Sequence, residues 1–257
     1  MRLRTILLAT GLVVGTAMGS AFAAPINLVA NGDFSSVTGG ITAPTQFGTQ
    51  ATVTTQQFIS SWTGNNGYEI WYPSANAAVN VNATGKYSYT NEEKLWAATT
   101  PPSGPGTFVG LDGDQTPGVQ SSIQQVLQDL TVGSTYQVSF NWAGAQMQSR
   151  TGATTEYLAV SLGSQTQNTA VLDNASHGFT GWQTATLDFV ASSTSETLKF
   201  LSVGTPSGLP PMALLTHVSA TDVPEPGSLA LLGSGLVGLG LVLRRRRKAA
   251  KAPKTEV

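Results

Sequence analysis

Apolar and polar residues alternate along much of the chain, with the period of two that is typical of half-buried β-strands. In "TYQVSFNW", Tyr136, Val138, Phe140 and Trp142 share one face of such a strand, and polar residues lie between them. Similar short runs recur as "QFISSW", "GYEIWY", "TFVGLD", "SSIQQVL", "YLAVSL", "WQTATLDFV" and "ETLKFLSV". The pattern predicts about ten short strands.

Clusters of Gly, Pro, Asn and Thr separate these runs, as in "TGNNG", "TTPPSGPG" and "TPSGLPP", and such clusters are turn signals. No segment has the period of a convincing amphipathic helix. Residues 74–106 are the least periodic, and we expect them to form an inserted loop. Many short strands joined by turns favour an all-β fold, a sandwich or jelly roll. We therefore predict one jelly-roll β-sandwich domain over residues 24–222.

The N-terminus has the three parts of a secretory signal peptide. Arg2 and Arg4 precede an apolar stretch that runs from about residue 6 to residue 18. Ala21, Phe22 and Ala23 then form a small-x-small cleavage site. We predict a signal peptide over residues 1–23, with the secretion translocon and signal peptidase as its partners.

The C-terminus combines a short motif, an apolar run and a cluster of cations. The motif is Pro224, Glu225 and Pro226, and the apolar run covers residues 229–243. As a helix this run would span about 22 Å, short of the about 30 Å of membrane hydrocarbon, but flanking residues can extend it. The run stops at Arg244, Arg245, Arg246 and Arg247. We predict one transmembrane helix, with residues 249–257 as a cytoplasmic tail; a buried terminal helix is the alternative.

Taken in this order, the Pro-Glu-Pro triplet, apolar run and arginine cluster resemble the PEP-CTERM sorting signal, over residues 223–248. The resemblance implies export across the inner membrane of a Gram-negative bacterium that makes exopolysaccharide. It also implies transient membrane anchoring, then tail removal by an exosortase-type transpeptidase, and a final place at the cell surface or in the extracellular matrix. The signal describes transport and leaves activity open.

Without its targeting segments, the chain is acidic. Residues 24–223 keep four cations (Lys86, Lys94, Arg150 and Lys199) against twelve acids, a net charge of −8, whereas the whole chain has −1. A nucleic-acid partner is disfavoured, because binding to phosphates needs clustered cations. The chain has no cysteine, so no disulfide can stabilise the exported domain.

The body also resembles the galactose-binding-like jelly rolls of carbohydrate-binding modules. The resemblance rests on "NLVANGDFS", "GYEIW", "TFVGLDGD" and "VQSSIQQVLQDLTVGSTYQVSFNWA", which occur in this order. Acids in that family's first and last strands commonly help to hold a structural calcium. Here Ser35 replaces the first acid, and Thr216 and His217 stand at the position of the last pair. The resemblance therefore implies the fold and leaves its usual calcium site in question.

Few residues in the body have the pattern of a catalytic site. His177 and His217 are the only histidines. We expect His177 in a loop and His217 on the solvent-facing side of the last strand. No G-x-S-x-G motif supports a local nucleophile. Asp112 and Asp114 in "GLDGDQ" alternate along one segment, as oxygen ligands of calcium do. A structural calcium is one interpretation of this pair, and a polar turn is the other.

Aromatic residues crowd the N-terminal half of the body, and flat rings can stack on sugar rings. Within this group, Tyr72 and Trp96 are the candidate ligand-binding residues, because they lie in or beside the irregular region. Core packing is the competing interpretation. We expect a non-enzymatic protein that is associated with exopolysaccharide and binds carbohydrate. A polysaccharide-acting enzyme, a glycosidase or lyase, and a purely structural surface protein remain alternatives.

Overall fold

The structure, a computed structural model, describes residues 26–48, 57–66, 68–79, 93–148, 150–209, 211–223, 234–235, 238–239 and 244. The predicted signal peptide lies outside the described residues, as do Pro224, Glu225, Pro226 and most of the predicted membrane helix. Arg244 is described and exposed, whereas Arg245, Arg246 and Arg247 are not described. In the described part of the chain, no helix is both long enough and apolar enough to cross a membrane.

The described body is built from twelve strands and one short helix. In chain order they are β1 (Thr45–Phe47), β2 (Thr63–Gly64), β3 (Glu69–Tyr72), α1 (Ala75–Ala78), β4 (Phe108–Asp112), β5 (Ser122–Leu127), β6 (Thr135–Gln146), β7 (Thr154–Leu162), β8 (Gln165–Asn168), β9 (Leu172–Asn174), β10 (Gln183–Val190), β11 (Glu196–Thr205) and β12 (Pro211–Asp222). The predicted all-β class is confirmed. The segment "QFISSW" is the exception, because it forms only an isolated bridge at Ile59.

The strands form two antiparallel sheets that pack face to face as a β-sandwich. The first sheet has the order β1-β3-β4-β12-β6-β10. The second has the order β2-β5-β11-β7-β8, and β9 also pairs with β7. Side chains from both inner faces fill the main core, including Trp71, Phe140, Leu158 and Phe200.

The second sheet follows the predicted alternation closely. Along β7, every second residue from Thr154 to Leu162 is buried, and the residues between them are partly exposed. Strand β11 repeats this pattern from Glu196 onward. One face of this sheet therefore packs on the core, and the other faces solvent.

The first sheet departs from this pattern because part of its outer face is also buried. β6 alternates only up to Phe140, and every residue from Phe140 to Gln146 is buried. On the outer side, a second apolar cluster joins β3, β4, β6 and β12 to α1 and to the segment after it. Its members are Ile70, Tyr72, Ala75, Ala78, Leu95, Phe108, Ala143, Ala145, Met147, Met212 and Leu214. We call this set the outer cluster.

The segment around Leu95 covers the outer face by continuing the backbone pairing of β6. Trp96 N donates to Gln146 O at 2.9 Å, and Gln148 N donates to Lys94 O at 2.8 Å. Gly110 leaves room on the same face for two members of the outer cluster, because a Cβ there would lie 3.0 Å from both Met212 Cε and Tyr72 Cε2. Residues 94–96 of the irregular region therefore cover this face of the sheet.

One inward-facing residue of β7 is an acid. Glu156 is fully buried, its Oε1 accepts a hydrogen bond from Thr154 Oγ1, and its Oε2 has no partner. It fits because Gly144 lies opposite: a Cβ there would be 2.7 Å from Oε2. Burial raises the pKa of Glu156 to about 8, against the hydrogen bonds from Thr154 and Asn174, and the nearby Asp173 raises it further.

Glu156 is expected to make the protein less stable as the pH rises. A carboxyl whose folded pKa exceeds its unfolded pKa binds more protons in the folded state, so the free energy of unfolding falls between the two values. The loss is up to roughly 1.4 kcal/mol per pH unit, from the ordinary value of 4.5 to about 8. Glu156→Gln should remove this part of the pH dependence and stabilise the protein at pH 8 relative to the wild type. Urea unfolding at several pH values measures both effects.

Asp129→Asn is the matched control for Glu156→Gln. It also removes one carboxylate, but from an exposed loop position. The control should keep the wild-type pH slope. An equal slope for Glu156→Gln and the wild type would contradict the assignment of Glu156 as a buried neutral acid.

Candidate functional site

A cleft of about 250 Å³ lies on the outer face of the first sheet, next to the outer cluster. It forms where β3 and β12 begin and where β4 and β6 end. Ile70, Met147 and Met212 line it and also belong to the outer cluster, so the cleft is the continuation of a buried apolar surface. Such a surface supplies an apolar floor.

Polar side chains and one ring complete the lining. They are Gln46, Tyr68, Asp112, Asp114 and Arg150. Tyr68, Gln46 and Arg150 are partly exposed, whereas Asp112 and Asp114 are each 6% exposed. An apolar floor with a few convergent polar groups is the usual composition of a small-molecule site.

Asp112 has a perturbed titration in this cleft. Burial raises its pKa to about 7, and the carboxylates of Asp114 and Glu69 act in the same direction. A hydrogen bond from Asp114 N to Asp112 Oδ1, 2.8 Å long, and the charge of Arg150 oppose this shift. Asp112 therefore changes charge near neutral pH, which is typical of residues in functional sites.

Asp114 has the opposite shift. Burial raises its pKa, but hydrogen bonds from Gly208, Thr116 and Ser207 outweigh burial, so the pKa lies below its usual value. Gly208 N donates to Oδ2 at 2.7 Å, and Thr116 N donates to Oδ1 at 2.9 Å. Both oxygens of Asp114 are thus used to hold two loops against the cleft.

The structure brings Asp112 and Asp114 into one cleft at the end of β4, as their spacing indicated. Calcium takes six to eight oxygen ligands, and both oxygens of Asp114 already accept protein hydrogen bonds. Within the described ranges, no three His, Cys, Asp or Glu residues lie close enough together to hold a metal ion.

Tyr72 and Trp96 are not exposed rings, which corrects the sequence-based expectation. Tyr72 is fully buried and stacks on Phe108 with ring centroids 5.0 Å apart. Trp96 is 3% exposed, donates from Nε1 to Arg150 O at 2.6 Å, and lies under the ring of His177 with centroids 3.8 Å apart. Tyr72 lies on β3 and Trp96 on the covering segment, and neither buried ring can present a free face to a sugar.

Tyr68 is the ring that does face the cleft. It precedes Glu69 in the same segment as Tyr72, and it lies before the strand rather than at its centre. Arg150 is the second lining residue that the sequence did not single out as a ligand-binding residue. Its signal was its rarity, since it is one of four cations in residues 24–223.

The position that the resemblance gave to a structural calcium is held together by hydroxyl groups. Thr107 Oγ1 donates to Asp33 O, and Thr216 Oγ1 donates to Thr107 O at 2.8 Å. His217 is partly buried at a bulge of β12 rather than solvent-facing as expected, and its Nδ1 lies 3.2 Å from Asn141 Oδ1. Burial lowers the pKa of His217, although Asp33 opposes this shift.

A second, larger groove of about 670 Å³ runs along residues 27–30 and β5. Its lining is mainly polar, with Gln124, Gln125, Gln128 and Asp129, and the ring of Trp62 beside it is only 2% exposed. This groove therefore has no ring available for stacking, which distinguishes it from the cleft at Tyr68.

Comparison with known protein families identifies the tail. A profile of the PEP-CTERM protein-sorting motif matches residues 222–247, which confirms the resemblance drawn from Pro224, Glu225 and Pro226. This motif indicates an exported surface protein of a Gram-negative bacterium that is processed by an exosortase. A second profile, described as a protein of unknown function (DUF642), matches residues 113–209.

Several solved structures have a similar arrangement of strands at low identity. One is TmCBM61 in complex with β-1,4-galactotriose, with 14% identity over 77% of this chain and 99% of that chain, and a TM-score of 0.42. Another is the CBM22-1 xylan-binding domain of Xyn10C from Paenibacillus barcinonensis, with 11% identity over 80% and 100% of the two chains and a TM-score of 0.38. These TM-scores are too low to say what this chain binds. No curated protein sequence matches the chain.

Proposed function

We propose that the protein binds exopolysaccharide through the cleft beside Tyr68, without catalysing a reaction, after sorting to the cell surface or extracellular matrix. The observation that carries this proposal is the combination of a partly exposed ring, an apolar floor and buried polar groups in one concavity. The sorting motif at residues 222–247 supports the location.

The cleft has the chemistry that a sugar needs. Sugar rings present apolar C–H faces, which stack on an aromatic ring such as Tyr68, while the hydroxyl groups need hydrogen-bonding partners. Gln46, Asp112 and Arg150 supply donors and acceptors around that ring. The volume of 250 Å³ lies just below the about 300–1,000 Å³ of drug-sized pockets, and therefore suits one sugar unit of a longer polymer.

A polysaccharide-acting enzyme is the second candidate, and one observation favours it. Two carboxyl groups with pKa values shifted in opposite directions, as for Asp112 and Asp114, are typical of a general acid and its partner. However, Asp114 has both oxygens engaged by backbone and hydroxyl donors, so it is poorly placed to act as a nucleophile or base. Binding alone accounts for the ring and polar groups of the cleft more simply than catalysis does. A purely structural role does not explain why they line a cleft.

Removing the ring of Tyr68 tests the binding site. Tyr68→Ala should weaken binding of the full chain to exopolysaccharide from the producing bacterium by roughly 5- to 150-fold. This corresponds to about 1–3 kcal/mol, by analogy with aromatic stacking on nucleic-acid bases. The melting temperature should change little, because Tyr68 is partly exposed at the edge of the sheet. Affinity electrophoresis and thermal unfolding give the two readouts.

Tyr157→Ala is the matched control for Tyr68→Ala. Tyr157 is also partly exposed, but it lies on β7 of the second sheet, away from the cleft. It should bind as the wild type does. Equal binding by both variants would remove the cleft from consideration, and release of shorter sugars by the wild-type protein would favour the enzyme.

The second part of the proposal concerns sorting. The translocon and signal peptidase process residues 1–23, a helix over residues 229–243 holds the protein in the membrane, and an exosortase-type transpeptidase then removes the tail. Replacing Pro224, Glu225 and Pro226 with Ala should block tail removal but not membrane insertion, which depends on apolar area. Immunoblots of membrane and released fractions measure this. Normal release of the triple variant would contradict the proposed role of the motif.

A further inference from the structure

Asp112 is a buried carboxyl group of the cleft, and only one of its two side-chain oxygens accepts a hydrogen bond within the described part of the chain. Its side chain is 94% buried, being 6% exposed, and its Oδ1 accepts from Asp114 N. Nothing in the described part of the chain donates a hydrogen bond to its second oxygen. Asp112 lines the cleft, so a ligand bound there lies beside its carboxyl group.

More negative than positive side chains act on Asp112. Asp114 and Glu69 both disfavour its ionised form, and Arg150 alone among the charged side chains favours it. A buried carboxylate with more like charges than opposite charges is stabilised by any further cation that comes within about 4–6 Å. A positively charged hydrogen-bond donor in the cleft would therefore stabilise the ionised form of Asp112.

We propose that the sugar bound in this cleft carries an ammonium group: the ligand class is an amino sugar of a partly or fully deacetylated polysaccharide. This inference rests on the binding function proposed above and names the ligand of the same site. The ammonium group donates to the second oxygen of Asp112, and the sugar ring stacks on Tyr68.

Each competing sugar class fits the same groups less well. A uronic acid would bring a fourth carboxylate to Asp112, Asp114 and Glu69, with Arg150 as the one opposing charge among the groups that act on Asp112. A neutral sugar would satisfy hydrogen bonds but leave the charge imbalance unchanged. An ammonium group relieves the imbalance, and Tyr68 adds an attraction because aromatic faces attract cations within about 6 Å of the ring centroid.

The charge of the body favours the same class of ligand at longer range. Residues 24–223 carry a net charge of −8, with four cations in total. Such a surface attracts a cationic polymer and repels an anionic one before any contact forms. The attraction of the whole surface is not selective, however, so the test must separate it from the effect of Asp112.

The experiment compares two probes of the same length, a β-1,4-linked glucosamine hexamer and the same hexamer fully N-acetylated. Acetylation removes the positive charge and keeps the sugar rings. Calorimetric titration of the full chain at about pH 6.5 should give at least about tenfold tighter binding of the glucosamine hexamer, which is the effect of about 1.4 kcal/mol. Asp112→Asn should reduce this ratio to near one, because the amide still accepts from Asp114 N but has no charge.

Two further variants control for the overall surface charge and for loss of stability in Asp112→Asn. Asp188→Asn removes one charge from β10, away from the cleft, and should keep most of the preference for glucosamine. Arg150→Gln removes the competing cation and should increase the preference for glucosamine. This variant tests the amino-sugar assignment if Asp112→Asn melts at a much lower temperature than the wild type.

The outcomes distinguish the two proposals. Equal binding of the two hexamers to the wild type, or an equal loss of preference in Asp188→Asn and Asp112→Asn, would overturn the amino-sugar assignment. If exopolysaccharide still binds through Tyr68 in either case, the binding function stands without it. If Tyr68→Ala changes the binding of no polysaccharide, the site itself fails.

Discussion

The arrangement of the molecule depends on burial of the outer face of the first sheet, the one that contains β3, β4, β6 and β12. A sandwich needs to bury only the two inner faces, yet here the segment around Leu95 packs on the outside and pairs with the end of β6. Burial of apolar side chains contributes about 25 cal/mol per Å² removed from water, so this cover stabilises the fold as well as shaping it. The cleft lies beside this cover, and Ile70, Met147 and Met212 of the outer cluster line it.

The same arrangement explains the electrostatics of the cleft. Asp112 is the last residue of β4 and lines the cleft, where it is 6% exposed. The neighbours that set its charge come from distant parts of the chain: Glu69 from β3 and Arg150 from the segment after β6. Tyr72 and Trp96 are buried, whereas Tyr68 is partly exposed and lines the cleft with Asp112, whose pKa is about 7.

Sequence patterns predicted those parts of the fold in which one face is buried and one is wet. β7, β11 and the first half of β6 follow the period of two, and they were recognised for that reason. The outer burial was not predictable, because a strand that is covered on both sides loses its alternation and the covering residues have no period of their own. The sequence therefore leaves surface exposure and core packing open for Tyr72 and Trp96, and the fold places both in the core. Asp112 and Asp114 were found because their spacing is local, whereas the contribution of Arg150 depends on the fold.

The sorting motif and the cleft lie on different parts of the chain, so each can be changed by mutation without altering the other. The PEP-CTERM motif occupies residues 222–247 and the last strand ends at Asp222, so the sorting segment begins where the sandwich ends. In the proposed function, the acidic sandwich binds the ligand and the tail determines where the protein is sorted.

The most direct test is hydrogen exchange of the full chain with and without saturating exopolysaccharide, measured by mass spectrometry. If the cleft is the binding site, exchange slows in the peptides that contain Tyr68, Asp112 and Arg150, and it stays unchanged around Gln124 and Gln128 in the larger groove. Protection confined to that groove, or no protection at all in a protein that binds, would contradict the central claim that the ligand lies in the cleft beside Tyr68.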